Sequence, residues 1–272
     1  MNFKKILVPI DFSSCSKNAL KNALQLAKKT KAELLLLHAF QIPVAHGELG
    51  SQTIIMGLAT DIEKDIEQDF ENLKKEFPEL NDINYRSQIK HAYPIDGILS
   101  AVFTEKIDLI IMGTHGASGI DEIIMGTNAY SVIKDLRCPV LVIPEKGGLD
   151  NINRLAYASD YKHLEDMSVL NPMIDLAVLY DAEIDILHLS DKKEMTTEEA
   201  DEAEMIENQL KDVKHTYHFR SAEDIEQSLN DHITERQIDM LVMIPRKHKF
   251  FEKHWTKKMA FHSKTPLLAL PS

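Results

Sequence analysis

Cysteine is scarce in this chain. Cys15 and Cys138 are the only two among 272 residues. Two thiols do not make a disulfide framework, so a reducing cytoplasm is the expected setting. Long apolar runs are missing as well. No stretch approaches 18 apolar residues, and no membrane-spanning helix is expected. The opening MNFKKILVPIDFSS has a short basic start, but its apolar run from Ile6 to Ile10 is too short for the core of a secretory signal, and an acid follows at once. Nor is there an excess of basic residues. The formal net charge is −12, which gives the surface as a whole no electrostatic reason to hold nucleic acid or an anionic membrane.

What is present is enough to build a core. Hydrophobic residues make up 44% and charged residues 27%, a soluble globular composition. At roughly 150 residues per domain the length suggests two domains. Short runs rich in Val, Ile and Leu alternate with helical periodicity. Lys5 to Ile10, Glu33 to Ala39, Asp108 to Met112 and Pro139 to Ile143 read as strands buried on both faces, and Ile83 to Ile89 as a weaker one. Helices are predicted after Ser13 or Ser14, over 53–76, over 94–105 and over 127–136. Strands alternating with helices imply a parallel sheet with right-handed crossovers.

The pattern then repeats. KAELLLLH at 31–38 returns as DAEIDILH at 181–188, ILVPID ending at Asp11 as LAYASD ending at Asp160, IDLIIM at 107–112 as IDMLVM at 238–243, and CPVLVIP at 138–144 as TPLLALP at 265–271. Four matches in one order indicate two copies of one unit, 1–146 and 151–272, joined by a linker-like PEKGGLD. The predicted fold class is α/β: two tandem open five-stranded parallel sheets, each Rossmann-like with helices on both faces, related by pseudo-twofold symmetry.

One motif carries chemistry. After the fourth predicted strand comes GTHGASGIDEIIMGTNAYS, from Gly113 to Ser131. Glycines let a backbone bend sharply and approach a ligand closely. Gly126 stands where a helix opens, and amides at a helix N-terminus form a ready anion site. Thr127 adds a hydroxyl donor. The motif also lies past the carboxyl end of a parallel strand, where open α/β sheets bind ligands.

Three features together, the N-terminal ILVPIDFS, the loop G-x2-G-x9-G-T and the closing CPVLVIP, resemble the universal stress protein family. The resemblance is close over 1–145 and looser over 152–272. It implies an open five-stranded parallel sheet and a bound adenine nucleotide, ATP, with AMP or ADP as variants and Mg2+ as a compatible counter-ion of the phosphates. Carried over position by position, Asp11 contacts the ribose hydroxyls, and Pro9 and Ala39 line the adenine. Met112 and Gly113 start the phosphate loop, Gly116, Gly126 and Thr127 cradle the phosphates, and the amide of Asn128 adds a donor. Simpler roles stand beside these. Asp11 could serve only as a helix cap, His38 as a structural histidine, and His115 as either a phosphate contact or a solvated side chain. Cys15, in a first helical turn, is given no redox role, and Cys138 is expected to be buried.

The second copy departs from the motif. Gly113 aligns with Ile244, Gly116 with Lys247, Gly126 with Lys253 and Thr127 with His254. Side chains there should keep a phosphate off the backbone, so this unit is expected not to bind ATP in the same way. The basic residues of 246–258 read as an anion or partner site, or as a solvated face. His215 and His218, three apart on a predicted strand, point to opposite faces and cannot ligate one ion together, so no metal is expected.

The function expected is therefore nucleotide-dependent regulation in the stress response, with slow ATP hydrolysis at most. The chain lacks the lysine and hydroxyl residue of a GK[ST] phosphate loop. The alternatives are a slow ATPase or nucleotidyl-transfer enzyme, for which Asp121 and Glu122 could serve, and a nucleotide-independent protein scaffold. A protein partner is expected but unidentified. The two copies should pair within the chain as a pseudo-dimer, and a homodimer of chains is compatible with that.

Overall fold

The computed structural model describes residues 3–42, 52–114, 127–135, 138–159, 161, 164–191, 194–245 and 265–271. Among these, the first half contains β1 (Lys5–Pro9), α1 (Ser14–Thr30), β2 (Glu33–Phe40), α2 (Gln52–Glu76), β3 (Tyr85–His91), α3 (Pro94–Glu105), β4 (Leu109–Gly113), α4 (Thr127–Asp135) and β5 (Val140–Ile143). The second half supplies β6 (Arg154–Ser159), α5 (Asn171–Tyr180), β7 (Glu183–Leu189), α6 (Thr197–Leu210), β8 (His215–Arg220), α7 (Ile225–Arg236), β9 (Met240–Met243) and β10 (Leu267–Ala269).

The strands run continuously apolar because both faces of the sheet are covered. Ile6, Val8, Leu34, Leu36, Leu109 and Ile111 face one way, into a core with Ala19, Leu20, Ala23 and Leu26 of α1. Leu7, Leu35, Leu37, Ile110 and Met112 face the other way, onto Ile98 and Ala101 of α3 and Val132 and Ile133 of α4. Alternate residues of one strand thus feed two cores, as the two-residue period of a strand requires. Helix α1 presents Ala and Leu at three- and four-residue intervals, and Ser13 caps it by accepting a hydrogen bond from the amide of Ser16.

The two five-stranded parallel sheets do not stay separate. Strand order across the molecule is β3-β2-β1-β4-β5-β10-β9-β6-β7-β8. Every pairing within a half is parallel, and the halves join where β5 meets β10 antiparallel, with Leu268 opposite Leu141. Read from either edge the order is the same, which is the mark of a pseudo-twofold axis at that seam. Among the described residues, the non-glycine residues with positive φ follow the same symmetry. They form three repeat-related pairs: Phe12 with Tyr161, Lys31 with Asp181, and Lys106 with Gln237.

Candidate functional site

The order 3-2-1-4-5 places β1 beside β4, and the chain leaves β1 for one side of the sheet but reaches β4 from the other. A crevice forms at such a switch point, outside the carboxyl ends of the strands. Register pairs Leu7 with Ile110 and Pro9 with Leu37, so Pro9 and Asp11 at the end of β1 stand next to Met112 and Gly113 at the end of β4. Ala39 lies one strand over, near the end of β2, where a Cβ on Gly97 would come within 2.9 Å of its own Cβ.

The turn after β1 is held by aromatic packing. Phe12 has φ 63, a left-handed conformation that costs about 1–2 kcal/mol for a residue with a Cβ. Its ring stacks on His38 at 5.1 Å between centroids and meets Phe70 edge-on at 5.2 Å. Nδ1 of His38 lies 2.7 Å from the carbonyl oxygen of Ile10, a hydrogen bond in which the ring donates. His38 thus has a structural role. Asp11 is not the cap of α1; that is Ser13. Instead its carboxylate accepts from the amide of Ser13 at 3.1 Å and from its hydroxyl at 2.6 Å, bracing the cap at the mouth of the crevice.

At the end of β4, Gly113 has a packing reason for lacking a side chain. A Cβ there would lie 2.6 Å from Sγ of Cys15 and 2.9 Å from its carbonyl oxygen. The first turn of α1 therefore sits directly on the strand end. The resemblance makes this glycine the start of a phosphate loop; the packing of α1 is a separate reason for its lack of a side chain. Cys15 is buried there, with Sγ 3.5 Å from Oγ1 of Thr114, and Cys138 is buried as expected. Thr127 and Asn128 open α4 with exposed side chains, while Ala129, Val132 and Ile133 face the core. His115, Gly116 and Gly126, with the rest of 115–126, lie outside the described residues, as do Asp160 and the basic segment 246–258.

In the second half the same turn recurs. Tyr161 has φ 47 and its ring stacks on His188 at 4.2 Å and 8°, so the Phe12–His38 stack is reproduced in a more buried form. Ile244, at the position of Gly113, is buried. His215 and His218 do point to opposite faces of β8. His215 reaches the carbonyl of Val213 and the carboxylate of Glu207. His218 turns instead toward Asp185.

That second histidine belongs to a polar cluster that sequence reasoning missed. Asp185, wholly buried in β7, has Nε2 of His232 at 3.3 Å and Nε2 of His218 at 3.4 Å from Oδ2. Nε of Arg236 donates to Oδ2 at 2.9 Å, and the hydroxyl of Thr216 donates to Oδ1 at 3.1 Å. Burial works to raise the Asp185 carboxyl, but His232, Arg236 and the charge of His218 outweigh it and hold it well below the usual carboxylate range. Burial draws His218 below its ordinary value, against the pull of Asp185. The signal was available: an acid interrupts the apolar run EIDILHL at the position where the first copy has Leu35.

Fold and crevice together define a doubly wound α/β protein built from two copies of one unit. The chain belongs to the universal stress protein family, whose model matches residues 2–144. A universal stress protein of Methanocaldococcus jannaschii is 31% identical over 143 residues, covering 52% of this chain and 82% of its own. A second from the same organism is 30% identical over 159 residues, covering 53% of this chain and 96% of its own. The crystal structure of a universal stress protein from Archaeoglobus fulgidus aligns with 100% of this chain and 99% of its own at a TM-score of 0.69 and 17% identity. That likeness establishes the fold over both halves. No helix among the described residues is long and apolar enough to cross a membrane.

Proposed function

We propose that this chain is an ATP-binding regulatory protein of the stress response, with the nucleotide held by the unit 1–146 and little or no catalysis. The observation that carries the reading is the meeting of Asp11 and Gly113 on adjacent strands where the strand order reverses, at the point from which the G-x2-G-x9-G-T segment departs. Asp11 would take the ribose hydroxyls, and Pro9 and Ala39 the adenine. His115 and the amides of Gly113, Gly116, Gly126, Thr127 and Asn128 would surround the phosphates at the start of α4. Mg2+ would serve only to shield their charge. Membership of the family supports the reading, as does the exposure of Thr127 and Asn128.

The unit 151–272 is silent toward ATP in this reading, because buried Ile244 replaces Gly113 and the other loop glycines are absent from its sequence. Calorimetric titration of the full chain with ATP tests the proposal. Micromolar binding, about −8 kcal/mol, is expected, with loss in Gly126→Glu and retention in Lys253→Glu. No heat from the wild type would refute it, and steady phosphate release would replace it with an ATPase.

A further inference from the structure

We propose that Asp185, His218 and His232 form a site for a divalent transition-metal ion of the Zn2+ class, between β7, β8 and α7. The two copies of the unit provide the first argument. At the equivalent positions the first half carries Leu35, Gln88 and Ala101, and Leu35 and Ala101 are buried in its core. The fold is thus satisfied by an apolar pair there. The second half instead buries a carboxylate at 0% exposure and an imidazole at 1%, polar groups that the fold itself does not require at these positions.

The spacing of the three groups fits such a partner. Oδ2 of Asp185 lies 3.3 Å from Nε2 of His232 and 3.4 Å from Nε2 of His218, and one ligand atom from each residue falls within 4.8 Å of the others. A tetrahedral ion with bonds of about 2.0–2.1 Å spaces its ligands about 3.3 Å apart. Nε2 of His232 faces Oδ2 of Asp185, while its Nδ1 makes no hydrogen bond among the described residues. His218 is 26% exposed on the edge strand β8, giving an entry path and a fourth position for water. Two imidazoles and a carboxylate suit Zn2+, Co2+ or Ni2+ rather than Mg2+ or Ca2+.

Two guanidiniums flank the carboxylate. Arg236 donates to Oδ2, and Nε of Arg154 stands 3.8 Å from Oδ1 while its other arm holds Glu183. With Glu183 counted, these four charges cancel. The hydroxyl of Thr216 lies 3.1 Å from both Oδ1 of Asp185 and Nε2 of His218; with an ion on His218 it donates to Asp185 alone and orients that carboxylate. Arg236 shares the oxygen the ion would take, so it limits affinity.

The test uses the full chain, stripped with a chelator and titrated with ZnSO4 by calorimetry and with CoCl2 by visible absorption. One ion per chain is expected, with the Co2+ bands of a four-coordinate site. His218→Gln and Asp185→Asn should weaken binding by at least about tenfold, while His215→Gln leaves it unchanged. Arg236→Gln should tighten it. The combined variant Asp185→Leu, His218→Gln, His232→Ala copies the first half and should fold without binding. Absence of uptake by the wild type, or equal uptake by His218→Gln, overturns the assignment.

Discussion

Replacing Gly113 by Ala tests how closely α1 is seated on β4. The added Cβ would lie 2.6 Å from Sγ of Cys15, 2.9 Å from its carbonyl oxygen and 3.0 Å from its carbonyl carbon. Ordinary carbon contacts fall at about 3.5–4.0 Å. A thiol can rotate away, but the backbone of Cys15 cannot, because it is fixed in the first turn of a helix whose Ala19, Leu20 and Ala23 are fully buried. Either the helix start must lift or the end of β4 must sink. Overpacking of this sort costs about 1–3 kcal/mol, and two backbone contacts place this site in the upper part of that range. Reduced freedom of the unfolded chain returns about 0.4–1 kcal/mol, which leaves a net loss near 2 kcal/mol. Urea denaturation followed by far-ultraviolet circular dichroism measures it. Adding Cys15→Ala removes the sulfur contact but not the backbone contacts, so the double variant should recover only part of the loss. A single variant within about 0.5 kcal/mol of wild type, or complete recovery in the double variant, would refute the reasoning.

Other outcomes follow from the same structure. Burial, assisted by the charge of Asp108, pushes the Cys138 thiol up to about 12; iodoacetamide should modify it only in denaturant, as mass spectrometry of peptides from native and unfolded protein will reveal. Burial pulls His215 down, but the Val213 carbonyl and Glu207 raise it above its ordinary value on balance. A raised value means that its stabilising contribution is complete below about pH 6.5 and fades as pH rises through the folded-state value. His215→Gln should therefore be most destabilising in mild acid, with the difference from wild type shrinking toward alkaline pH. Leu268 is fully buried at the seam opposite Leu141, and Leu268→Ala should cost about 2–5 kcal/mol in chemical denaturation, although it touches no part of the proposed nucleotide site.

Much of the fold was legible because buried parallel strands leave a plain trace. ELLLLHA could only be a strand covered on both faces, and β2 extends it by one residue to Phe40. Pro94 and the spacing of Ile95, Ile98, Leu99 and Val102 gave α3 its observed bounds. The seam was less legible. CPVLVIP and TPLLALP reveal two final strands, but their apolar runs alone do not say which edge pairs with which or in which direction. The placement of Pro9, Asp11 and Met112 at neighbouring strand ends was readable, because it follows from the strand boundaries. The packing demand at Gly113 was not legible, because a strand sequence does not tell which helix will cross it. Asp185, His218 and His232 are distant in sequence and follow no short motif, so only the sheet and α7 bring them together.

The segment between the halves has a further consequence. Asn18 donates to the carbonyls of Pro144 and Gly147 at 2.8 and 2.9 Å, the amide of Leu149 donates to Asn22 at 2.6 Å, and Gln25 reaches Asp150 at 2.6 Å. Ser14, one turn from Asp11, holds Glu145. A connection of this composition would ordinarily act as a loose tether, yet here it is laced along nearly three turns of one rod. Any tilt of that rod at its Asp11 end must pull on the residues that lead into β6, so an event in the first half has a mechanical route into the second.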